Sequence, residues 1–291
     1  MAVHDGESTL AATLESILAQ TEPEFELLVV DDGSTDATPA ILAAFASRDG
    51  RLRILTQQNE GLTRSLIRAC AEVRAEVIAR HDCGDRSHPE RFARQLQLLA
   101  AGHVLTGCAT RFTDAGGDTL YVARANGDEL RRSLLHDDAS HVHGLPHHGS
   151  AMFRRDIYLA AGGYRPQFRA AQDLDLWMRM ASRGTIGVTD EVLYEATVDA
   201  RSISGTSRDA QVQLTALAVA LRDGQEERSL LETAASIRTR PLTAKGEAAA
   251  LYFIAKCLLQ QRNPKWRRTM REALRHNPRH WRAWLSLLIG R

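Results

Sequence analysis

Hydrophobic positions in the first half of this chain follow two alternating rhythms. Leu10, Leu14, Ile17 and Leu18 recur at i, i+4, i+7 and i+8, which predicts a helix over 7–20. A compact apolar run follows in Phe25-Glu26-Leu27-Leu28-Val29-Val30, of the length and β-branched character of a buried strand. Ile41, Leu42 and Phe45 then mark a helix face, with Ser34 as its expected cap and Asp36 in its first turn. The pattern continues as a strand over 52–55, a helix over 62–74 and a strand over 77–79. A helix over 89–101 follows, opened by a Ser87/Glu90 capping box with Pro89 in the first turn. Met1-Ala2-Val3 reads as the end of a buried strand, either very short or clipped. This strand–helix alternation predicts an α/β fold with a doubly wound, mostly parallel sheet.

Further along, 104–109 predicts a strand, and 110–148 reads as irregular and hydrophilic with a turn at Gly116-Gly117. A strand over 150–154 leads into a helix over 155–161, stopped by Gly162-Gly163. Leu176, Trp177 and Met180 form the buried face of a helix starting near Asp173. From about residue 210 the pattern is helical. The expected division is therefore a nucleotide-sized α/β domain over 1–207 and a C-terminal α-helical extension over 208–291. Within 245–291, eleven Lys/Arg face only Glu247 and Glu272. That imbalance suggests contact with an anionic membrane surface. The stretch from Glu272 to Pro278, with Trp284, Leu285 and Leu288, resembles the end of a tetratricopeptide repeat; the alternative is an ordinary amphipathic hairpin packed on the main domain.

Composition narrows the picture. The chain has 291 residues, 44% of them apolar, and a formal net charge of +1, which gives no sign of nucleic-acid binding. Its four cysteines lack metal-ligand spacing and read as reduced cytosolic thiols. No window approaches the roughly 20 apolar residues of a membrane span. The expected location is cytoplasmic, at most at the inner face of a membrane.

Candidate chemistry lies at strand ends, where open α/β sheets collect ligands. Asp31 and Asp32 follow the 25–30 strand; they can bind a base or sugar hydroxyl, or merely cap the next helix. His81-Asp82-Cys83-Gly84-Asp85 follows the 77–79 strand. Two acid-bearing loops at one sheet edge suit a diphosphate and a divalent cation, whose hard charge prefers carboxylate oxygens. Asp173, in a first helical turn, is expected to stay ionised. His136, His141, His143, His147 and His148 cluster without the spacing of a standard metal site, and read as solvated loop histidines.

These residues carry a family resemblance. Met1-Ala2-Val3-His4-Asp5-Gly6-Glu7, Val30-Asp31-Asp32-Gly33-Ser34, Asn59-Glu60-Gly61-Leu62, Ala79-Arg80-His81-Asp82, His88-Pro89-Glu90-Arg91, Met152-Phe153-Arg154-Arg155, Gly162-Gly163-Tyr164-Arg165 and Gln172-Asp173-Leu174-Asp175-Leu176-Trp177 occur in the order and spacing of the family 2 inverting glycosyltransferases, which the chain resembles over about residues 1–204. The resemblance implies a GT-A fold and transfer of a sugar from a nucleoside-diphosphate sugar to an acceptor hydroxyl of a glycan, lipid or protein. It implies nucleotide-sugar contacts from Ala2, Val3, Asp31, Asp32, Arg80 and Asp82. It makes Asp173 the general base, and places His148 and Asp175 toward the acceptor, although Asp175 also reads as a structural acid. Asp82 matches the first acid of the family's Asp-X-Asp metal motif, but Gly84 stands where the second acid belongs. Asp85 and Asp199 are then the expected partners of Asp82 around Mn2+ or Mg2+. Gln172 replaces the usual glutamate before the base. Gly84 and the short first strand motivate a second reading, a nucleotide-sugar-binding module that has lost turnover and acts through its helical tail. A nucleotidyltransferase is a third, weakened by the lack of a glycine-rich basic phosphate loop.

Overall fold

The computed structural model describes residues 1–198, 208–238 and 243–289. Three strands pair in parallel in the order β1-β2-β3: β1 (Ala2–Val3), β2 (Leu27–Asp31) and β3 (Leu52–Thr56). Val3 lies opposite Asp31, and Asp31 opposite Thr56. Every residue of β2 is buried, as expected of a strand covered on both faces. Its side chains divide accordingly. Leu27 and Val29 pack with Leu10, Leu14 and Ile17 of α1 (Leu10–Leu18) and Leu42 of α2 (Thr38–Ala46). Leu28 and Val30 face Ala69 of α3 (Leu62–Glu72).

A second sheet has the order β4-β8-β6-β9-β5, with β7 paired to β6. Its strands are β4 (Val77–Ala79), β5 (Arg86–Ser87), β6 (Leu105–Asp114), β7 (Thr119–Ala123), β8 (Met152–Arg154) and β9 (Ile186–Val198). Strands β6 and β9 run parallel from Leu105↔Ile186 to Asp114↔Val198; the pairs β4–β8, β6–β8, β6–β7 and β5–β9 are antiparallel. Between β2 and β4 lies a cavity of about 180 Å³, lined by Leu28, Leu66, Cys70, Ile78 and Phe92 among others. Helix α4 (Arg91–Ala100) joins α1 and α2 on one side of the sheets through Phe92 and Leu99. The other side carries α3, α5 (Gly127–His136), α6 (Arg155–Ala160) and α7 (Gln172–Ala181), centred on Trp177, Leu176 and Met180.

Three local expectations change. Ser34 does not cap α2; its Oγ accepts from the Asp5 amide at 3.0 Å, and Asp36 accepts from Glu7 and Thr38 amides at 2.9 Å each. Ser87 belongs to β5, and α4 starts at Arg91 without a side-chain cap. Residues 110–148 are largely ordered: β6 continues to Asp114, β7 returns as a hairpin, and α5 follows. The start of α5 was written in the sequence, since the Asn126 side chain accepts from the amides of Asp128 and Glu129.

The tail contributes α8 (Arg208–Arg222), α9 (Glu227–Ser236), α10 (Ala244–Gln260), α11 (Trp266–His276) and α12 (Trp281–Ile289). Leu214, Ala218 and Ala234 of α8 and α9 enter the same core as Trp177. Helices α10–α12 build a separate core from Ile254, Leu258, Trp266, Met270, Leu274 and Ala283, and Leu120 of β7 completes it. Lys265 pairs with Asp118 at the hairpin turn, and the Gln261 side chain donates to the Leu120 carbonyl at 3.3 Å. Leu120→Ala should therefore cost about 2–5 kcal/mol of stability. Amide exchange should show the loss concentrated in α10–α12; equal loss of protection in α1–α4 would refute this division of the core.

Candidate active site

Asp31 and Asp32 close the β2 edge, where they are 1% and 4% exposed. Asp32 accepts from Gln57 Nε2 at 2.6 Å, the Glu60 amide at 2.9 Å and the Gly61 amide at 2.9 Å. It thus shapes the loop between β3 and α3, leaving about one of a carboxylate's four acceptor directions free. Asp31 accepts from the Ser34 amide at 3.0 Å. Gly33 has φ +76°, and a Cβ there would lie 2.8 Å from the Asn59 nitrogen, so glycine is required. Ala2 and Val3 sit in β1, and the Val3 carbonyl accepts from the Asp32 amide at 2.8 Å.

The second acidic loop follows β4. Arg80, 3% exposed, places its guanidinium against Asp82 and on the His148 ring. Burial alone would raise the Asp82 carboxyl, but Arg80, His148 and His147 hold it below the usual carboxylate range. Gly84 has φ +97°. An acid there would strain the backbone, so the missing second acid of the motif has a conformational cause. Asp85, one residue on, is 5% exposed. It accepts from the Tyr194 hydroxyl at 2.8 Å and the Thr197 amide at 3.0 Å. Burial, and then the neighbouring Asp82 charge, push its pKa up to about 8.

Sequence reasoning missed three residues that assemble this loop. His147 stands 3.7 Å from Asp85, and its ring stacks on Tyr194 at 5.3 Å. Tyr194 of β9 bridges both acids, since its oxygen also accepts from the Asp82 amide at 3.1 Å. Arg91, fully buried, donates to the carbonyls of Gly149 and Arg80 at 3.0 Å each and lies 5.2 Å over the Tyr194 ring. The histidine cluster was visible in the sequence, but only the fold selects His147 from it. Asp82, Asp85 and His147 offer ligand atoms within 4.8 Å of one another. Two hard carboxylates and an imidazole form a donor set that fits Mn2+ or Mg2+. Asp199, the other expected ligand, lies outside the described residues.

Asp173 lies in the first turn of α7 and is half-buried. The expectation of a depressed pKa is corrected. Burial pushes its carboxyl up, and the Asp82 charge adds to this. The Leu174 amide, donating at 2.9 Å, and Arg80 only partly offset them. The His148 ring, held by Arg80, lies 5.8 Å from Trp177, one turn along α7 from Asp173, which brings Asp173 near Arg80 and Asp82. Tyr164 joins them, with its hydroxyl 2.9 Å from His148 Nε2. The Thr63 hydroxyl donates to the Phe168 carbonyl at 2.7 Å, tying the segment before α7 to the loop that Asp32 shapes. Ala171, immediately before α7, has φ +54°, a strained conformation for a non-glycine residue. Asp175 does not face the cleft: it is 2% exposed and ion-paired with Arg165 at 2.9 Å and with Arg179. It is a structural acid, and its acceptor-side expectation is withdrawn.

Comparison with known proteins gives a consistent picture. A family model described as glycosyl transferase family 2 matches residues 1–160. The putative glycosyltransferase EpsE of Bacillus subtilis is 30% identical over 207 residues, covering 68% of this chain and 72% of EpsE. Among solved structures, residues 1–349 of S. aureus TarS, in complex with UDP, match all of this chain and 90% of that one, with TM-score 0.56 and 15% identity. Over the longer TarS chain the match spans 48% of its length. The mannosyltransferase PcManGT from Pyrobaculum calidifontis, in complex with GDP-Man and Mn2+, matches 98% of this chain and 81% of its own, with TM-score 0.58 and 19% identity. At these identities the structures show a shared GT-A fold.

Three measurements test the acidic cluster. A carboxyl raised by burial binds its proton more tightly folded than unfolded, so its contribution to stability is complete below the ordinary carboxylate range and is lost as pH rises through about 8. Thermal unfolding of the metal-free chain should show this decline, and Asp85→Asn should flatten it. Mn2+ must displace that proton, so its affinity should rise with pH up to about 8 with measurable proton release; affinity independent of pH would refute the assignment of Asp85. In Gly149→Ala, the new methyl would lie 2.1 Å from the Tyr194 hydroxyl and 2.9 Å from Asp82 Oδ2. Calorimetry should show Mn2+ affinity reduced about 10- to 100-fold.

Proposed function

The chain belongs to glycosyl transferase family 2, and we propose that it transfers a sugar from a nucleoside diphosphate to an acceptor hydroxyl in one inverting displacement. The reading rests on one observation: Arg80 joins Asp82 to the His148 ring, and that ring lies 5.8 Å from Trp177 of α7, one helical turn from Asp173. In this reading the residues 1–207 carry catalysis, with 208–291 as the helical extension.

Asp32, with the β1 backbone at Ala2 and Val3, receives the nucleotide base, and Asp31 holds the turn beside it through the Ser34 amide. Asp82 and Arg80 lie where the sugar diphosphate enters. Asp173 takes the proton of the attacking acceptor hydroxyl. Its raised pKa suits that role, because a base works best when its pKa lies near the operating pH. Backside attack leaves the sugar inverted, so one carboxylate on the acceptor side suffices. His148, neutral because burial and Arg80 keep it below its ordinary range, lies with Tyr164 between Arg80 and that side. Asp82, Asp85 and His147 would hold a divalent cation, which would neutralise charge gathering on the departing diphosphate. The acceptor is a glycan, lipid or protein hydroxyl.

The chain should release nucleoside diphosphate from a matching sugar donor in the presence of Mn2+. Asp173→Asn should lower kcat about 10²–10⁴-fold with little change in donor KM. Full activity in that variant would refute the base. Gly84 supports the alternative of a binding module without turnover, and tight donor binding with no release across a panel of donors would favour it.

A further inference from the structure

Helix α12 is built inside out. Its inward face carries Ala283 and Ser286, 0% and 5% exposed, while Trp281, Trp284, Leu285, Leu288 and Ile289 are 65%, 51%, 46%, 81% and 57% exposed. At 100° per residue these five side chains share one arc of about 140°. A soluble surface helix normally turns this stripe inward. Six arginines belong to α11, to the turn after it and to α12. Arg267, Arg268, Arg271, Arg275, Arg279 and Arg282 are all exposed, and Glu272 is the one acid between residues 266 and 289. Among the described residues none of the six makes an ion pair. Arg282 lies 5.3 Å over the Trp281 ring and Arg267 4.7 Å over the Trp266 ring.

We propose that the exposed face of α12, together with the arginines of the α11–α12 pair, docks on an anionic lipid surface. Tryptophan suits the boundary between water and acyl chains, and leucine and isoleucine enter below it. The arginines stand at headgroup level, where a negative surface concentrates cations. Charge decides between occupants. A second copy docked face to face would set six arginines against six. An anionic bilayer meets every one with an opposite charge, and the single helix offers no groove for a peptide. Lys265 is already held by Asp118, so the docked face is fixed to the β6–β7 hairpin. This inference stands on the tail alone and survives failure of the sugar-transfer reading.

The test is sedimentation of the full chain with vesicles of phosphatidylcholine alone or with about 30% phosphatidylglycerol. Binding to the anionic vesicles should be at least about tenfold tighter and should weaken as salt rises. Trp177 and Trp266 are buried, at 1% and 4% exposure, so a blue shift in emission on binding would report Trp281 and Trp284. Trp281→Ser with Leu288→Ser should abolish the blue shift, and Arg271→Glu with Arg275→Glu should remove the preference for anionic lipid. Both variants change exposed positions and should leave thermal unfolding and nucleoside diphosphate release unchanged. Absence of vesicle binding, or equal binding by the variants, would overturn the proposal. So would a concentration-dependent dimer that the Trp281/Leu288 variant dissolves, since the face would then serve a second copy.

Discussion

Two neighbouring carboxyl groups, Asp85 buried and Asp82 half-buried, constrain the whole site. Like charges about 4 Å apart cost about 4 kcal/mol at an effective dielectric of about 20, before the loss of hydration is counted. The fold meets this burden unequally. Asp82 receives Arg80 and remains charged, whereas Asp85 receives only a tyrosine hydroxyl and a backbone amide and is driven toward its neutral form. Each partner is itself fixed by something buried. Arg91 holds the carbonyls on either side of the Asp82 loop, and its guanidinium lies over the ring of Tyr194. The asymmetry leaves a place where a divalent cation would take over from the Asp85 proton the role of keeping the two carboxyls together.

The β2 edge of the site is organised by a different principle. Asp32 spends most of its acceptor capacity on the loop at residues 57–61. It is therefore first a device that shapes a loop, and a ligand contact only through what remains. Asp5 works in the same way on the other side, accepting from the Thr35 amide at 2.7 Å. Backbone amides bound to the buried Asp32 carboxylate hold that rim before any ligand arrives, which limits the ordering cost of binding.

Much of this was legible in the chain. Apolar runs ending in acids placed β2 and β4, and the 3.6-residue spacing placed α1, α3 and α7, because those signals depend on neighbours in sequence. The misses have a common cause. Residues 119–136 look hydrophilic because β7 and α5 each bury few side chains, chiefly Leu120, Leu130, Ser133 and Leu134. Tyr194 and His147 meet only through the pairing of β9 with β5 and the turn before β8, a relation no local pattern reports. Gly84 looked like a lost ligand; its φ shows a backbone requirement that passes the acid to the next position. Asp173 showed the limit of helix-dipole reasoning, since burial outweighs the first-turn amides that favour its charge.

The tail and the site hang on the same pair of strands. Strand β9 carries Tyr194 and Thr197 to the acidic loop, and β6 beside it pairs with β7, whose Leu120 completes the tail core. Aromatic rings span the distance. Phe253 of α10 meets Tyr121 edge-on at 6.2 Å, Tyr121 stacks on Phe112 at 4.5 Å, and Phe112 meets His147 at 5.7 Å. His147 stacks in turn on Tyr194. A histidine ring wedged between Phe112 and Tyr194 has little freedom to reorient, so its place beside Asp85 is set by packing that continues through β7 to the tail. The helical extension therefore belongs to the support of the acidic cluster, through a series of ring contacts that runs from Phe253 of α10 to Tyr194.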